Sequence, residues 1–102
     1  MSITQSDIEF VQELFAPLGS VTYRKMMGGL TIYLEGQVFA ILDRERTVFL
    51  KAKGEFATIL ADSGSRQFGE GGKTMGYWTL PEIAVDDPEI ASDWAKQALS
   101  HL

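Results

Sequence analysis

Residues 26–52, MMGGLTIYLEGQVFAILDRERTVFLKA, constrain the fold more than any other stretch of the chain. They carry the two-residue period of β-structure three times in succession. Leu30, Ile32 and Leu34 alternate with Thr31, Tyr33 and Glu35, which predicts a half-buried strand. Glu35-Gly36 predicts a tight reversal, because Gly reaches the positive φ that short hairpin turns demand. Residues 38–42 are apolar on both faces, Val38, Ala40 and Leu42 against Phe39 and Ile41, the pattern of a central strand covered on both sides. Asp43-Arg44-Glu45-Arg46 is a charged reversal, after which Thr47, Phe49 and Lys51 alternate with Val48, Leu50 and Ala52.

The flanks read as helices and further strands laid against this centre. Ser6 and Glu9 match a capping box, so a helix is predicted over residues 6–16, with Phe10, Val11, Leu14 and Phe15 inward and Asp7, Glu9, Gln12 and Glu13 largely opposite. Pro17 and Gly19 stop it. A short strand is expected over Val21–Met26, broken by Gly28-Gly29. Phe56, Ile59 and Leu60 predict a helix over Glu55–Asp62, ended by Ser63-Gly64. Phe68 is a candidate for another short strand, residues 69–73 read as a Gly-rich loop, and residues 74–80 read as a strand closed by Pro81. The last helix is capped by Asp87, starts with Pro88 and Glu89, and turns Ile90, Ala91, Trp94, Ala98 and Leu102 inward.

A chain of 102 residues fits one domain, here 1–102, and is long enough to bury a core without staples. It contains no cysteine, so disulfides and thiolate metal sites are ruled out together. The net charge of −5 argues against direct binding to a phosphate backbone, which relies on Lys and Arg. The first ten residues have no basic leader region or long apolar run, and no window approaches the roughly 18 apolar residues of a membrane span. A cytoplasmic location is the expectation.

No constellation carries catalysis. The single histidine, His101, has no second His or Cys to work with and is expected to be solvent exposed. Gly72-Lys73-Thr74 resembles the tail of a phosphate-binding loop, but Gln67 stands where that motif needs Gly, and a strand follows instead of a helix. Glu82, Asp86 and Asp87 lack the spacing of a calcium loop, and helix capping accounts for Asp87. No catalytic residue, metal or cofactor is therefore expected.

Two surfaces remain as candidates. Tyr23, Arg24, Lys25, Arg44, Arg46, Lys51 and Lys53, with Tyr33 as a stacking surface, make a basic, aromatic strand region, which some modules use for single strands and most use as a solvated face with edge lysines. Met26-Met27-Gly28-Gly29 offers either an adaptable thioether contact surface or a simple bend whose methionines fill the core.

Arg24-x-Met26-x-Gly28-Gly29, Ile32-Tyr33-x-x-Gly36-x-x-Phe39-Ala40 and Phe49-Leu50-Lys51 resemble the N-terminal domain of the TfoX (Sxy) family. Tyr77-Trp78-x-x-Pro81-Glu82, Asp87 and Trp94-Ala95-x-x-Ala98 continue the likeness through nearly the whole chain. It departs at the loop, where Met27 replaces the family's aromatic and Leu30-Thr31 its small residue. The longer competence regulators also carry a second, helical C-terminal domain beyond the part matched here. The resemblance implies an α+β fold, an antiparallel sheet of about five strands with helices packed on it in a two-layer, secretion-chaperone-like arrangement. It also implies a link to regulators of natural competence, which assist the cyclic-AMP receptor protein at promoters, and it brings no catalytic residues.

The functional expectation is a non-enzymatic regulatory or protein-interaction domain whose partner belongs to the transcription machinery. Its expected contacts are Arg24, Lys25, Met27, Gly28, Gly29 and Leu30. The alternative is a small-ligand module with an apolar pocket between sheet and helices, lined by Phe39, Tyr77, Trp78 and Trp94. An open strand edge makes a homodimer a further expectation.

Overall fold

The computed structural model describes residues 3–26, 28–68 and 76–102. Strands β1 (Val21–Met26), β2 (Gly29–Leu34), β3 (Gln37–Leu42), β4 (Val48–Lys51) and β5 (Tyr77–Thr79) form one antiparallel sheet in the order β1-β2-β3-β4-β5. Each lies beside its neighbour in sequence; short connections join β1 through β4, and the longer β4–β5 connection carries α2. Helices α1 (Gln5–Leu14), α2 (Glu55–Asp62) and α3 (Pro88–Ser100) complete an α+β domain.

The turns explain the register. Glu35 and Gly36 both take positive φ, 51° and 82°, the pattern whose twist matches that of paired strands. In the next reversal the Asp43 carboxylate accepts from the Glu45 and Thr47 amides, both at 2.9 Å, and Arg46 takes the left-handed φ of 65°.

One irregularity redirects a large side chain. The β2–β3 register shifts between Ile32 and Tyr33, so that Ile32 faces Ala40 while Tyr33 faces Val38. Phe39 is the extra residue of a bulge, and it shares the helix-covered core with Ala40 instead of alternating with it. Strict alternation predicts opposite faces for Phe39 and Ala40, and the bulge overrides it. Phe39 is fully buried and meets Phe15 edge-to-face, with ring centroids 5.1 Å apart.

The row Tyr23, Ile32, Ala40, Leu50 and Trp78 runs across all five strands on the helix-covered face. The row Arg24, Thr31, Ile41, Phe49 and Thr79 runs across the other. On that second face Ile41 and Phe49 are buried, and Phe68 closes over Phe49 edge-to-face at 4.8 Å. The central strand is thus covered on both sides, as its apolar run predicts.

Helix α1 begins earlier than its sequence pattern suggests. The N-cap is Thr4 and the capping box is Thr4/Asp7, not Ser6/Glu9: the Thr4 amide donates to Asp7 Oδ2 at 2.9 Å and the Asp7 amide to Thr4 Oγ1 at 3.3 Å. A long-range contact decides between the two boxes, because Arg46 Nε reaches Asp7 Oδ1 at 2.8 Å. Asp7 is consequently buried, whereas Phe10, expected inward, is 36% exposed. Ile8, Val11, Leu14 and Phe15 form the inward stripe.

Helix α2 ends as predicted. Gly64 takes φ 89°, its amide donates to the Ala61 carbonyl at 3.1 Å, and the Ser65 amide donates to the Leu60 carbonyl at 3.0 Å. Helix α3 is capped by Asp87, which accepts from the Glu89 and Ile90 amides. Its innermost residues are Ala91, Ser92, Ala95 and Ala98, small side chains that let the helix lie close to its neighbours. Ile90, Trp94 and Leu102 sit half-buried at the margins of that contact.

The β-structure around residue 78 is shorter than expected. Only Tyr77–Thr79 is strand; Leu80 leaves the strand but still donates to the Val48 carbonyl, and residues 69–75, which include the predicted loop and the start of the predicted strand, lie outside the described residues. The strand expected at Phe68 reduces to a single bridge, Gln67 to Trp78, with the Phe68 amide donating to the Tyr77 carbonyl at 2.8 Å.

Candidate interaction surface

Strand β1 pairs with β2 on one side and, among the described residues, with nothing on the other. Five of its six residues are exposed, so its free main-chain groups face solvent next to Tyr23, Arg24, Lys25 and Met26. Successive side chains of a strand point to opposite faces. Arg24 therefore stands on the helix-free face opposite Thr31, while Lys25 stands on the other, opposite Leu30. A partner touching both would have to grip the edge itself.

At the end of this edge Met26 pairs with Gly29, and its sulfur accepts from the Thr31 hydroxyl. Gly29 is buried because the chain passes so close that an added Cβ would collide with the Leu42 carbonyl oxygen. Gly28, half-buried, holds the left-handed φ of 85°. Met26 and Gly29 form one wall of a groove of about 420 Å³, closed by Ile41, Leu42, Arg44 and Phe68. A second recess of about 320 Å³ adjoins it, sharing Asp43, Glu45 and Phe68 and adding Arg66 and Thr79.

The six expected contacts separate on this map. Arg24 and Lys25 are exposed, Gly28 and Gly29 shape the turn, and Met27 lies outside the described residues. Leu30 is fully buried in the helix-covered core, opposite Leu42, so it supports the surface without being part of it. Its place in the alternating inward set already indicated this. Ile41 and Phe68 join the groove without having been singled out, because only the register brings them beside Met26.

The four residues of the alternative ligand pocket do not converge. Phe39 is packed solid, and Trp78 and Trp94 lie against the core. Tyr77, paired with Lys51, stands on the helix-free face. Burial, and secondarily the nearby Tyr33 phenol, raises the Tyr77 phenol above its ordinary value of 10.0. The Asp7 carboxyl is instead lowered from 3.8, chiefly by the Thr4 amide, with further help from the Thr4 hydroxyl and Arg46 against the opposing effect of burial. His101 is exposed, and its ring stacks on Phe56 at 5.5 Å. Among the described residues, no helix is long and apolar enough to cross a membrane.

The family model of the TfoX N-terminal domain matches residues 13–102. The chain belongs to the TfoX N-terminal domain family. That membership carries a regulatory-domain-like identity, in a family not known for enzymes. No curated protein matches the sequence.

Proposed function

We propose that this TfoX N-terminal domain is a non-enzymatic, cytoplasmic regulatory module that presents the β1 edge and the turn after it to a protein of the transcription machinery. The observation that carries this reading is the edge of β1, unpaired among the described residues, six residues long and exposed along five of them. An extended segment of a partner can add to such an edge through main-chain hydrogen bonds, while side-chain pockets supply selectivity. The groove beside Met26 and Gly29 is one such pocket, and Arg24 and Lys25 select against a basic partner strand. The net charge of −5 favours contact with a DNA-bound protein over contact with DNA.

Affinity capture of the tagged protein from its own cell extract, followed by mass spectrometry, tests the reading. Recovery of the cyclic-AMP receptor protein, RNA polymerase or a separate C-terminal-domain partner is the expected result. Substituting Arg24→Glu, Lys25→Glu and Met27→Ser together should abolish that recovery; unchanged binding would place the contact elsewhere. The same edge could pair with its copy in a homodimer, and light scattering of the purified protein distinguishes a second copy from a foreign partner.

A further inference from the structure

Charge is segregated along this chain in a way the fold turns into a surface. No Lys or Arg occurs before Arg24, and none occurs between Lys73 and Lys96. The first of these segments contains α1, the second contains the turn before α3 and that helix's first two turns, and the two pack together. Ser92 Oγ donates to the Leu14 carbonyl across their contact at 3.4 Å. Two of the acidic groups here have internal roles: Asp7 holds Thr4 and Arg46, and Asp87 caps α3. Glu9, Glu13, Glu82, Asp86, Glu89 and Asp93 remain exposed.

Between the two segments lies a depression of about 250 Å³, floored by Leu14, walled by Phe10 and Pro88, and rimmed by Glu13 and Asp86. Phe10 is the helical residue whose spacing points inward and which is nevertheless 36% exposed. Val85, 44% exposed, immediately precedes Asp86 in the chain. The depression has room for one large aliphatic or aromatic side chain. Its rim favours cations around that side chain and repels phosphate backbones.

We infer that this depression is a docking site for a basic protein segment carrying a single large apolar anchor. The anchor sits against Phe10 and Leu14, and flanking Lys or Arg side chains meet Glu13 and Asp86. Charge complementarity selects this occupant, because the two segments that build the site contain no basic residue. The site is lined by residues of α1, the turn before α3 and the start of that helix, none of them in β1, and does not depend on the reading proposed for the β1 edge.

The test is an amide-shift titration with a short synthetic peptide of Lys and Arg around one Leu. Two control peptides replace the Leu by Ser, or the basic residues by Glu. The expected result is binding of the first peptide alone, with shifts centred on residues 9–14 and 85–90 and an affinity that falls with salt. Phe10→Ser, and separately Glu13→Lys with Asp86→Lys, should each weaken it about tenfold or more. Arg24→Glu with Lys25→Glu should leave it no weaker, which separates this site from the β1 edge. Thermal unfolding confirms that the variants are folded; these are exposed positions whose replacement spares the core. Absence of binding, equal binding of either control peptide, shifts confined to β1, or an unchanged affinity in folded Phe10→Ser would each overturn the proposal.

Discussion

The two faces of the sheet are built from the same five strands and yet are closed by different means. The helix-covered face meets three helices, and the central members of its row, Ile32, Ala40 and Leu50, are fully buried. The helix-free face has Ile41 and Phe49 at its centre, shielded by neighbouring strands and by Phe68, while Arg24, Thr31 and Thr79 remain partly or fully open. The first face is a core in the ordinary sense. The second is apolar only where neighbouring strands and one aromatic ring can shield it, which leaves a shallow groove beside Met26. A sheet need not be wholly wet or wholly dry on a given side; the boundary here runs through the middle of one row.

The largest test of that difference compares two phenylalanines. Phe39→Ala should destabilise the domain by about 3–5 kcal/mol, because Phe39 is enclosed on all sides and its removal leaves a cavity. Phe49→Ala should cost roughly half as much, since the open face can relax around the gap. Denaturant unfolding measures both, and equal losses would show that the two faces are energetically alike.

Next comes the place where main chain, not side chain, sets the contact. Gly29→Ala should cost about 1–3 kcal/mol, because the new methyl group meets the Leu42 carbonyl and must push strands β2 and β3 apart. A loss below a few tenths of a kcal/mol would mean that this end of the sheet yields freely.

The helical cover is fastened to the sheet through Thr4, Asp7 and Arg46. Thr4→Ala should cost about 1 kcal/mol through the lost cap. The lowered Asp7 carboxyl contributes stability that is fully present well above pH 3.8 and is lost as pH falls through its lower folded value. In Asp7→Asn that part of the acid dependence should disappear, which denaturant midpoints on either side of pH 3.8 would reveal.

The smallest effect belongs to the helix-free face. A raised Tyr77 phenol keeps its proton in the folded protein where the unfolded chain loses it, so its contribution to stability declines as pH rises above 10.0. Tyrosinate absorbance should show one residue titrating late, absent in Tyr77→Phe and shifted partway back in Tyr33→Phe.

Much of this architecture could be read from the residues because its determinants are local. Strand β1 and helix α2 run over the predicted residues, and Glu35-Gly36 and Asp87-Pro88 act as turn and cap. What escaped depends on distant partners. Ser6/Glu9 is the better match to the capping-box pattern, and only Arg46, arriving from a turn far along the chain, favours Asp7. The bulge at Phe39 leaves no trace in an unbroken apolar run. Ser92 and Ala95 line the inside of α3 because its neighbours come close enough to need small side chains. For the candidate surface, the exposure of Arg24 and Lys25 followed from their types, and their separation onto two faces followed from alternation. The depression at Phe10 had only the missing lysines and arginines as a signal.

The order of the sheet also has a kinetic consequence. All four strand pairs join neighbours in sequence, and β1 through β4 are linked by short connections, so these hairpins close small loops. The junction of α1 with α3 is different: Leu14 and Ser92 are separated by 78 positions. In pulsed hydrogen exchange during refolding, amides of the β2–β3–β4 meander should gain protection first and those at the α1–α3 seam last. The seam that forms last is also the first to open, so sub-global unfolding should begin at the helical layer while the meander stays paired.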